Sequence, residues 1–333
     1  MKAIVYRGEN QVALQDVAEI VPKKDWCLIR VSHAGICGSD MTIYQGKHPR
    51  AKAPLIPGHE FSGYLCSPHP GIEEGKLVTV FPYIHCGQCE PCRKGNYHVC
   101  ANLRLIGIDL DGGMAEYVQV PCSMVQEVPQ GISPALAAFI EPVGISVHAA
   151  RQGGYLPGEN ALIFGAGAIG LATAITLTHF GAGRITVVEP NEDRLQLARQ
   201  MGFDVLQSDE NTLDEIYRRT DGNGEEFVFD CAGHQSVIDI LPDAVAINGA
   251  IIMVAGYKTP PRMNFQKGMF REFALRFVRN CTRRDFEIAT RLIADDPRYG
   301  KLLNCILQPQ QVQQGFDVPN GAYKVLFTFE GEV

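Results

Sequence analysis

The sequence predicts an α/β protein of two domains, a doubly wound parallel sheet joined to a β-rich, barrel-like domain. Three observations carry that expectation. From about residue 157 onward, apolar strands alternate with amphipathic helices, the rhythm of a parallel sheet covered by helices on both faces. The first strand of that series, ALIF, runs directly into the glycine-rich turn GAGAIG. Before about residue 145 the chain instead shows short alternating or apolar runs broken by Gly and Pro, the pattern of a barrel of short strands.

Taken in order, KAIVY, CLIRVSHAGI, FSGYL, KLVTVFPY and MAEYVQVP read as the strands of the first domain. In the second, ALIF is a strand, LATAITLTHFGA a helix, ITVVEP a strand and EDRLQLARQMG an amphipathic helix ended by Gly202. EFVFDCAG, SVIDILPDAVAINGA and AIIMVAGY continue as strand, helix and strand. The tail holds a helix, DFEIATRLIADD, and a strand, KVLFTFE, which do not extend the alternation and are expected to return to the first domain. The expected boundaries are 1–145 with 285–333 for the barrel-like domain and 146–284 for the parallel sheet.

At 333 residues and 46% hydrophobic content the chain can bury a large core. A net charge of −7 argues against nucleic acid or an anionic membrane as partner, because both need clustered cationic surface. A small-molecule ligand is the expectation. No run approaches the roughly 20 apolar residues of a membrane-spanning helix, and MKAIVYRGEN lacks a signal-peptide pattern. A cytoplasmic protein is expected, in which eleven cysteines do not form a disulfide framework and the clustered ones bind metal.

Gly165-Ala166-Gly167-Ala168-Ile169-Gly170 fits G-x-G-x-x-G, follows a strand and opens a helix, with Glu189 ending the next strand. That context is the Rossmann dinucleotide fingerprint: the glycines permit a tight turn and close approach of the pyrophosphate, and the helix N-terminus faces the phosphates. Glu189 can accept hydrogen bonds from both adenosine ribose hydroxyls and would repel a 2′-phosphate, so NAD is favoured over NADP. Arg194 is the cation near enough in sequence to weaken that preference, although an arginine on a helix surface is ordinarily solvated.

Cys86, Cys89, Cys92 and Cys100 are spaced C-x2-C-x2-C-x7-C. Four thiolates close a tetrahedral zinc shell and leave no place for substrate, so this site holds a loop. Three separate pieces, Cys37 in AGICGSD, His59-Glu60 in GHEFSG and Glu141 in FIEPVG, offer sulfur, nitrogen and oxygen donors that suit zinc with one position open. Each piece alone has a bland reading as a packed core residue or a helix start.

Together these motifs make the chain resemble the zinc-dependent medium-chain dehydrogenases, in particular the sorbitol and polyol dehydrogenase branch that includes bacterial sugar-acid dehydrogenases such as L-gulonate and L-galactonate 5-dehydrogenases. KAIVY, AGICGSD, GHE, the cysteine cluster, DGGMAEYV, the Glu-Pro, GAGAIG and KVLFTF occur in the family's order over nearly the whole chain. The resemblance implies a GroES-like catalytic domain, a structural zinc on the four cysteines and a catalytic zinc on Cys37 and His59, with Glu60 and Glu141 as carboxylate ligands that the sequence does not rank. It implies that Ser39 binds the substrate oxygen and carries its proton away. Many relatives have a histidine where this chain has Thr42, so the proton runs through water and the cofactor ribose, or His48 substitutes. Arg279 falls where polyol dehydrogenases place an arginine near substrate, and Asn280 beside it resembles a pair in sugar-acid members.

Lys47, His48, Arg50 and Lys52 form a basic loop that either attracts an anionic substrate or is merely solvated. Tyr44 and Phe139 either line the pocket or pack in the core. The expected activity is oxidation of a secondary alcohol of a polyol or aldonate to a ketone, with a hexonate such as L-gulonate or L-galactonate as the first expectation. Sorbitol-like polyols, a sugar phosphate or threonine are the other enzyme readings, and a nucleotide-binding regulator that kept the fold is the non-enzyme one. The resemblance also implies a homodimer or homotetramer.

Overall fold

A computed structural model describes residues 1–257, 259–319 and 321–331. The chain divides into two compact units, 1–142 with 282–333 and 143–281.

The first unit carries β1 (Lys2–Gly8), β2 (Gln11–Asp16), β3 (Trp26–Gly35), β4 (Glu60–Leu65), β5 (Leu77–Val80), β6 (Tyr83–Ile84), β7 (Arg104–Leu105), β8 (Tyr117–Pro121) and β9 (Val125–Glu127). β3 is its spine: it pairs antiparallel with β4 and, through its first half, with β8. Alternate residues Cys27, Ile29 and Val31 turn inward and meet Phe61, Val78, Val118 and Phe327 in a continuous apolar core. The tail closes this sheet with β16 (Cys305–Leu307) and β17 (Val325–Thr328), the latter antiparallel to β3. Gly35 at the end of β3 therefore lies opposite Glu60 on one side and Leu326 on the other.

Pairing of β3 with β8 sets Trp26 against Pro121 and leads to a disulfide bond between Cys27 and Cys122, with Cα atoms 5.2 Å apart. A single bridge is not a disulfide framework, and the four clustered cysteines are free of it. The two cysteines are distant in sequence, and only strand pairing brings them together.

The second unit holds β10 (Ala161–Phe164), β11 (Ile185–Glu189), β12 (Asp204–Gln207), β13 (Glu225–Asp230), β14 (Val245–Met253) and β15 (Ala274–Phe277). All are parallel, in the order β12-β11-β10-β13-β14-β15, so the direction of winding reverses between β10 and β13. β10, β11 and the central part of β13 are buried, which explains their uninterrupted apolar sequence. Helix Ala168–His179 is apolar nearly all round and is buried from Gly170 to Leu177. Helix Glu192–Gln200 starts at the Asn191 cap, whose side chain accepts from the Arg194 N–H, and Gly202 follows in the left-handed region at φ 88°. Helix Gln235–Ala244 stops two residues after Pro242, so Val245 to Ala250 belong to β14, where the sequence reading had extended the helix. Among the described residues no helix is long and apolar enough to cross a membrane.

Candidate active site

The strand register builds the first site. Cys37 lies two residues beyond Gly35, Glu60 opposite it, and Lys324 just before β17. Ligand atoms of Cys37, His59 and Glu60 all lie within 4.8 Å of one another. His59 and Glu60 are 5% and 2% exposed, a depth at which charge persists only with partners. Gly35 is needed for this approach: a Cβ there would stand 2.6 Å from Glu60 Oε2 and 2.9 Å from Lys324 Cε.

Cys37 also caps helix Gly38–Tyr44, and its N–H donates to Asp40 Oδ2 at 2.8 Å. Asp40 is fully buried and its Oδ1 has no hydrogen-bond partner, nor does His59 Nδ1. Burial pushes the Asp40 carboxyl up, while His59 opposes the shift. For His59, burial pulls the pKa down, yet the Cys37 thiol and the Asp40 and Glu141 carboxylates together hold it well above the usual value.

Glu141, in the first turn of helix Ile140–Gln152, is 4% exposed and accepts a hydrogen bond from the Tyr83 hydroxyl. Burial raises its pKa and the Glu60 charge adds to that, against the pull of His59. It stands outside the tight group of Cys37, His59 and Glu60. Lys324, which sequence reasoning missed along with Asp40 and Tyr83, forms a buried ion pair with Glu60 and donates to the Ile36 carbonyl at 2.9 Å. Asp40 stood in AGICGSD beside two named residues, whereas Lys324 stood unremarked in KVLFTF.

Ser39 Oγ is buried and has no hydrogen-bond partner, as expected of a hydroxyl that waits for a ligand. Thr42 Oγ1 donates back to the Gly38 carbonyl at 3.0 Å, so its proton is engaged by its own helix. Tyr44 is half-buried against Phe316, with ring centroids 5.2 Å apart, and its hydroxyl accepts from Gln313 Nε2. Phe139 is fully buried. Phe139 therefore follows the core-packing alternative, whereas Tyr44 keeps part of its surface open. His48 Nδ1 accepts the N–H groups of Arg50 and Ala51, and burial together with the Arg50 charge lowers its pKa. Arg50 itself is engaged by the Leu103 carbonyl and Asp109, leaving Lys47 and Lys52 as the exposed cations of the loop.

The four-cysteine lobe forms a second cluster, Cys86, Cys89, Cys92 and Cys100, with all sulfurs within 4.8 Å. Cys100 Sγ is 3.5 Å from Cys86 Sγ and 3.7 Å from Cys89 Sγ. Thiolates at zinc-bond length on the corners of a tetrahedron are about 3.8 Å apart, so the lobe is sized for this ion. Backbone N–H groups of Gln88 and Cys89 lower the Cys86 thiol to about 6, whereas desolvation and neighbouring thiols push Cys92 up to about 12.

In the second unit, Gly165 follows β10 at φ 100°, and a Cβ on Gly170 would stand 1.8 Å from the Gly165 carbonyl oxygen. Gly167 caps helix Ala168–His179, and a Cβ there would meet nothing within 4 Å, leaving the open face that a pyrophosphate requires. Ala168 and Ile169 form the first helical turn. Glu189 Oε2 accepts the Ala166 N–H at 2.8 Å, and Arg194 Nη1 lies 4.0 Å from the same carboxylate. Arg279 is exposed just beyond the carboxyl end of β15, and Asn280 next to it has φ 57°.

Comparison with known proteins fits this geometry. An alcohol dehydrogenase GroES-like domain matches residues 23–130 and a zinc-binding dehydrogenase domain matches residues 168–295. An L-threonine 3-dehydrogenase of Bacillus velezensis is 36% identical over 248 residues, 72% of this chain and 71% of its own length. This chain belongs to the zinc-binding alcohol dehydrogenases. The dehydrogenase is also 31% identical over 299 residues to a 2-dehydro-3-deoxy-L-galactonate 5-dehydrogenase of Pseudoalteromonas atlantica, covering 88% and 87% of the two chains. Its fold superposes with a TM-score of 0.90 on a crystal structure of the rspB alcohol dehydrogenase of E. coli CFT073 complexed with NADH, at 26% identity and 99% coverage of both chains.

Proposed function

We propose that this dehydrogenase oxidises a secondary alcohol of a sugar acid or polyol to the ketone with NAD, and that a hexonate such as L-gulonate or L-galactonate is oxidised at carbon 5. The observation that carries the reading is the buried meeting of Cys37, His59 and Glu60 beside the unpartnered Ser39 hydroxyl. The donor set fits zinc: a thiol, an imidazole and carboxylates, buried together with the His59 Nδ1 atom left without a hydrogen-bond partner.

Cys37, His59 and a carboxylate would hold the ion, whose chemistry is to acidify the substrate hydroxyl as it acidifies a bound water. Two observations bear on which carboxylate. Glu60 is within reach of Cys37 and His59, but Lys324 already neutralises it. Glu141 accepts from a neutral hydroxyl, with no cation bonded to it in competition with the ion, so we assign Glu141 as a ligand that closes on the ion when it binds and Glu60 as its exchange partner. Ser39 Oγ accepts the hydroxyl proton and passes it on. Thr42, whose hydroxyl donates to the Gly38 carbonyl, is not the next carrier in that chain. A bound nicotinamide would supply the acceptor for the carbinol hydride. Gly167 and the start of helix Ala168–His179 hold the pyrophosphate, and Glu189 takes the ribose hydroxyls and disfavours NADP.

The sugar-acid assignment draws on the Pseudoalteromonas relative and on Arg279, whose fork of donors suits a carboxylate. Threonine is the second reading, supported by the Bacillus relative. Assembly through the edge of the parallel sheet completes the proposal: Phe265, Met269, Phe270 and Phe277 on and beside β15 are each more than two-thirds exposed. The test is NADH formation on aldonates, neutral polyols and threonine, with NADP in parallel. Preference for an aldonate supports the assignment; equal or better turnover of neutral polyols or threonine contradicts it.

A further inference from the structure

The dinucleotide reading uses the Gly-rich turn and Glu189, both on one side of the point where winding reverses. On the other side, at the carboxyl ends of β13 and β14, the structure shows a buried polar arrangement that this reading does not use. Asp230 ends β13 and is fully buried. Its Oδ1 accepts the N–H groups of Ala232 at 2.9 Å and Gly233 at 3.0 Å, and its carbonyl accepts those of Val254 at 3.0 Å and Ala255 at 2.9 Å. The remaining carboxylate oxygen, Oδ2, accepts the hydroxyl of Tyr257. Burial raises the Tyr257 phenol, and its hydrogen bond to Asp230 raises it further, so it stays a donor.

One carboxylate thus ties together two loops, 231–233 after β13 and 254–257 after β14. They are packed closely: a Cβ on Gly233, at φ 66°, would stand 2.8 Å from the Gly256 carbonyl oxygen. The first loop also touches the phosphate turn, because a Cβ on Gly165 would stand 3.1 Å from the Ala232 nitrogen. In a doubly wound sheet of this strand order, a dinucleotide lies across the ends of the strands, with its adenosine half on the β11 side and its other half over β13 and β14.

We propose that Asp230 and Tyr257 are a positioning pair for the nicotinamide half of the cofactor. The inference rests on the NAD reading above and deepens it. Asp230 fixes the loop that abuts the phosphate turn, and Tyr257 holds the second loop against the first. The crevice wall is thereby preformed, and the cofactor does not have to order it on binding. Tyr257 acts through Asp230, so its loss should weaken contacts made by the nicotinamide half and spare those made at Glu189.

That asymmetry supplies the test. Dissociation constants of NADH, by its fluorescence, and of ADP, by competition, are measured for the wild-type protein, Tyr257→Phe and Asp230→Asn. Tyr257→Phe removes one hydrogen bond to a carboxylate and little volume, and is expected to weaken NADH about tenfold while leaving ADP unchanged. Asp230→Asn should shift the same ratio in the same direction, and the double variant should not exceed the worse single one, because the two groups act as a unit. Unchanged NADH affinity in Tyr257→Phe overturns the inference, and so does an equal loss for NADH and ADP, which would mark a general distortion of the crevice. A wild-type protein that binds neither nucleotide overturns the NAD reading as well, which separates the two failures.

Discussion

Replacing Lys324 by methionine should reveal what balances the buried charge of the metal site. The side chains of Lys324 and Glu60 are only 7% and 2% exposed, and the ammonium also donates to the Ile36 carbonyl. Without it, Glu60 stands among Asp40 and Glu141, both buried carboxyls, with His59 as the remaining cation. Removing one partner of a buried pair costs about 3–5 kcal/mol, because the other charge is left uncompensated. A zinc ion beside Cys37 supplies the missing positive charge, so the metal-loaded protein should lose less than the stripped one. Thermal unfolding of chelator-stripped and zinc-loaded protein tests this. Stripped Lys324→Met should melt well below stripped wild type, and the gap between its stripped and loaded forms should be wider than the wild-type gap. Adding Glu60→Gln should restore much of the loss, since removing both charges of such a pair is close to neutral. If Lys324→Met melts like the wild type when stripped, or loses equally in both forms, the lysine merely fills space and the reasoning fails.

Three further outcomes are expected. Ser39→Ala should lower kcat by about 10²–10⁴, the range for a positioned proton acceptor, without changing bound zinc; an unchanged kcat would remove Ser39 from the proton route. Glu189→Ser should lower the NAD:NADP ratio of kcat/KM at least about tenfold, since the charge that repels a 2′-phosphate is gone; a ratio that stays constant would return discrimination to other groups. In the four-cysteine lobe, Cys86 has a folded-state pKa lowered from 9.0 to about 6, so its contribution is complete above the ordinary thiol value and is lost as pH falls through about 6. In the chelator-stripped lobe, alkylation of Cys86 should therefore slow steeply below about pH 6, and a rate that falls only through the ordinary thiol range would contradict the hydrogen-bond origin of the shift.

The parts of this molecule legible in its sequence are those written locally. The Gly-rich turn, its helix and Glu189 occupy a single stretch of strand, turn, helix and strand, and the four cysteines a single loop, so spacing alone conveys their chemistry. Cys37, His59 and Glu141 were readable as pieces and became a site only through the resemblance of the whole chain to a family. Lys324 was not readable, because its place beside Glu60 comes from the register of β17 and β4 on either side of Gly35. The Cys27–Cys122 disulfide was missed for the same reason, since the pairing of β3 with β8 is what joins residues 95 apart. Helix Phe265–Arg271 and the short edge strand β15 carried no clear period, with apolar residues left exposed. Phe139 shows the converse difficulty: an aromatic residue near a motif looks the same in sequence whether it faces ligand or core.

The most direct test of the central claim is NADH formation from the alcohol panel by wild-type protein and His59→Ala, with zinc content and NADH binding measured on the same samples. The account predicts that His59→Ala forms no NADH, keeps the zinc of the four-cysteine lobe and still binds NADH. Wild-type turnover by His59→Ala would contradict it and place the chemistry away from Cys37, His59 and the buried carboxylates.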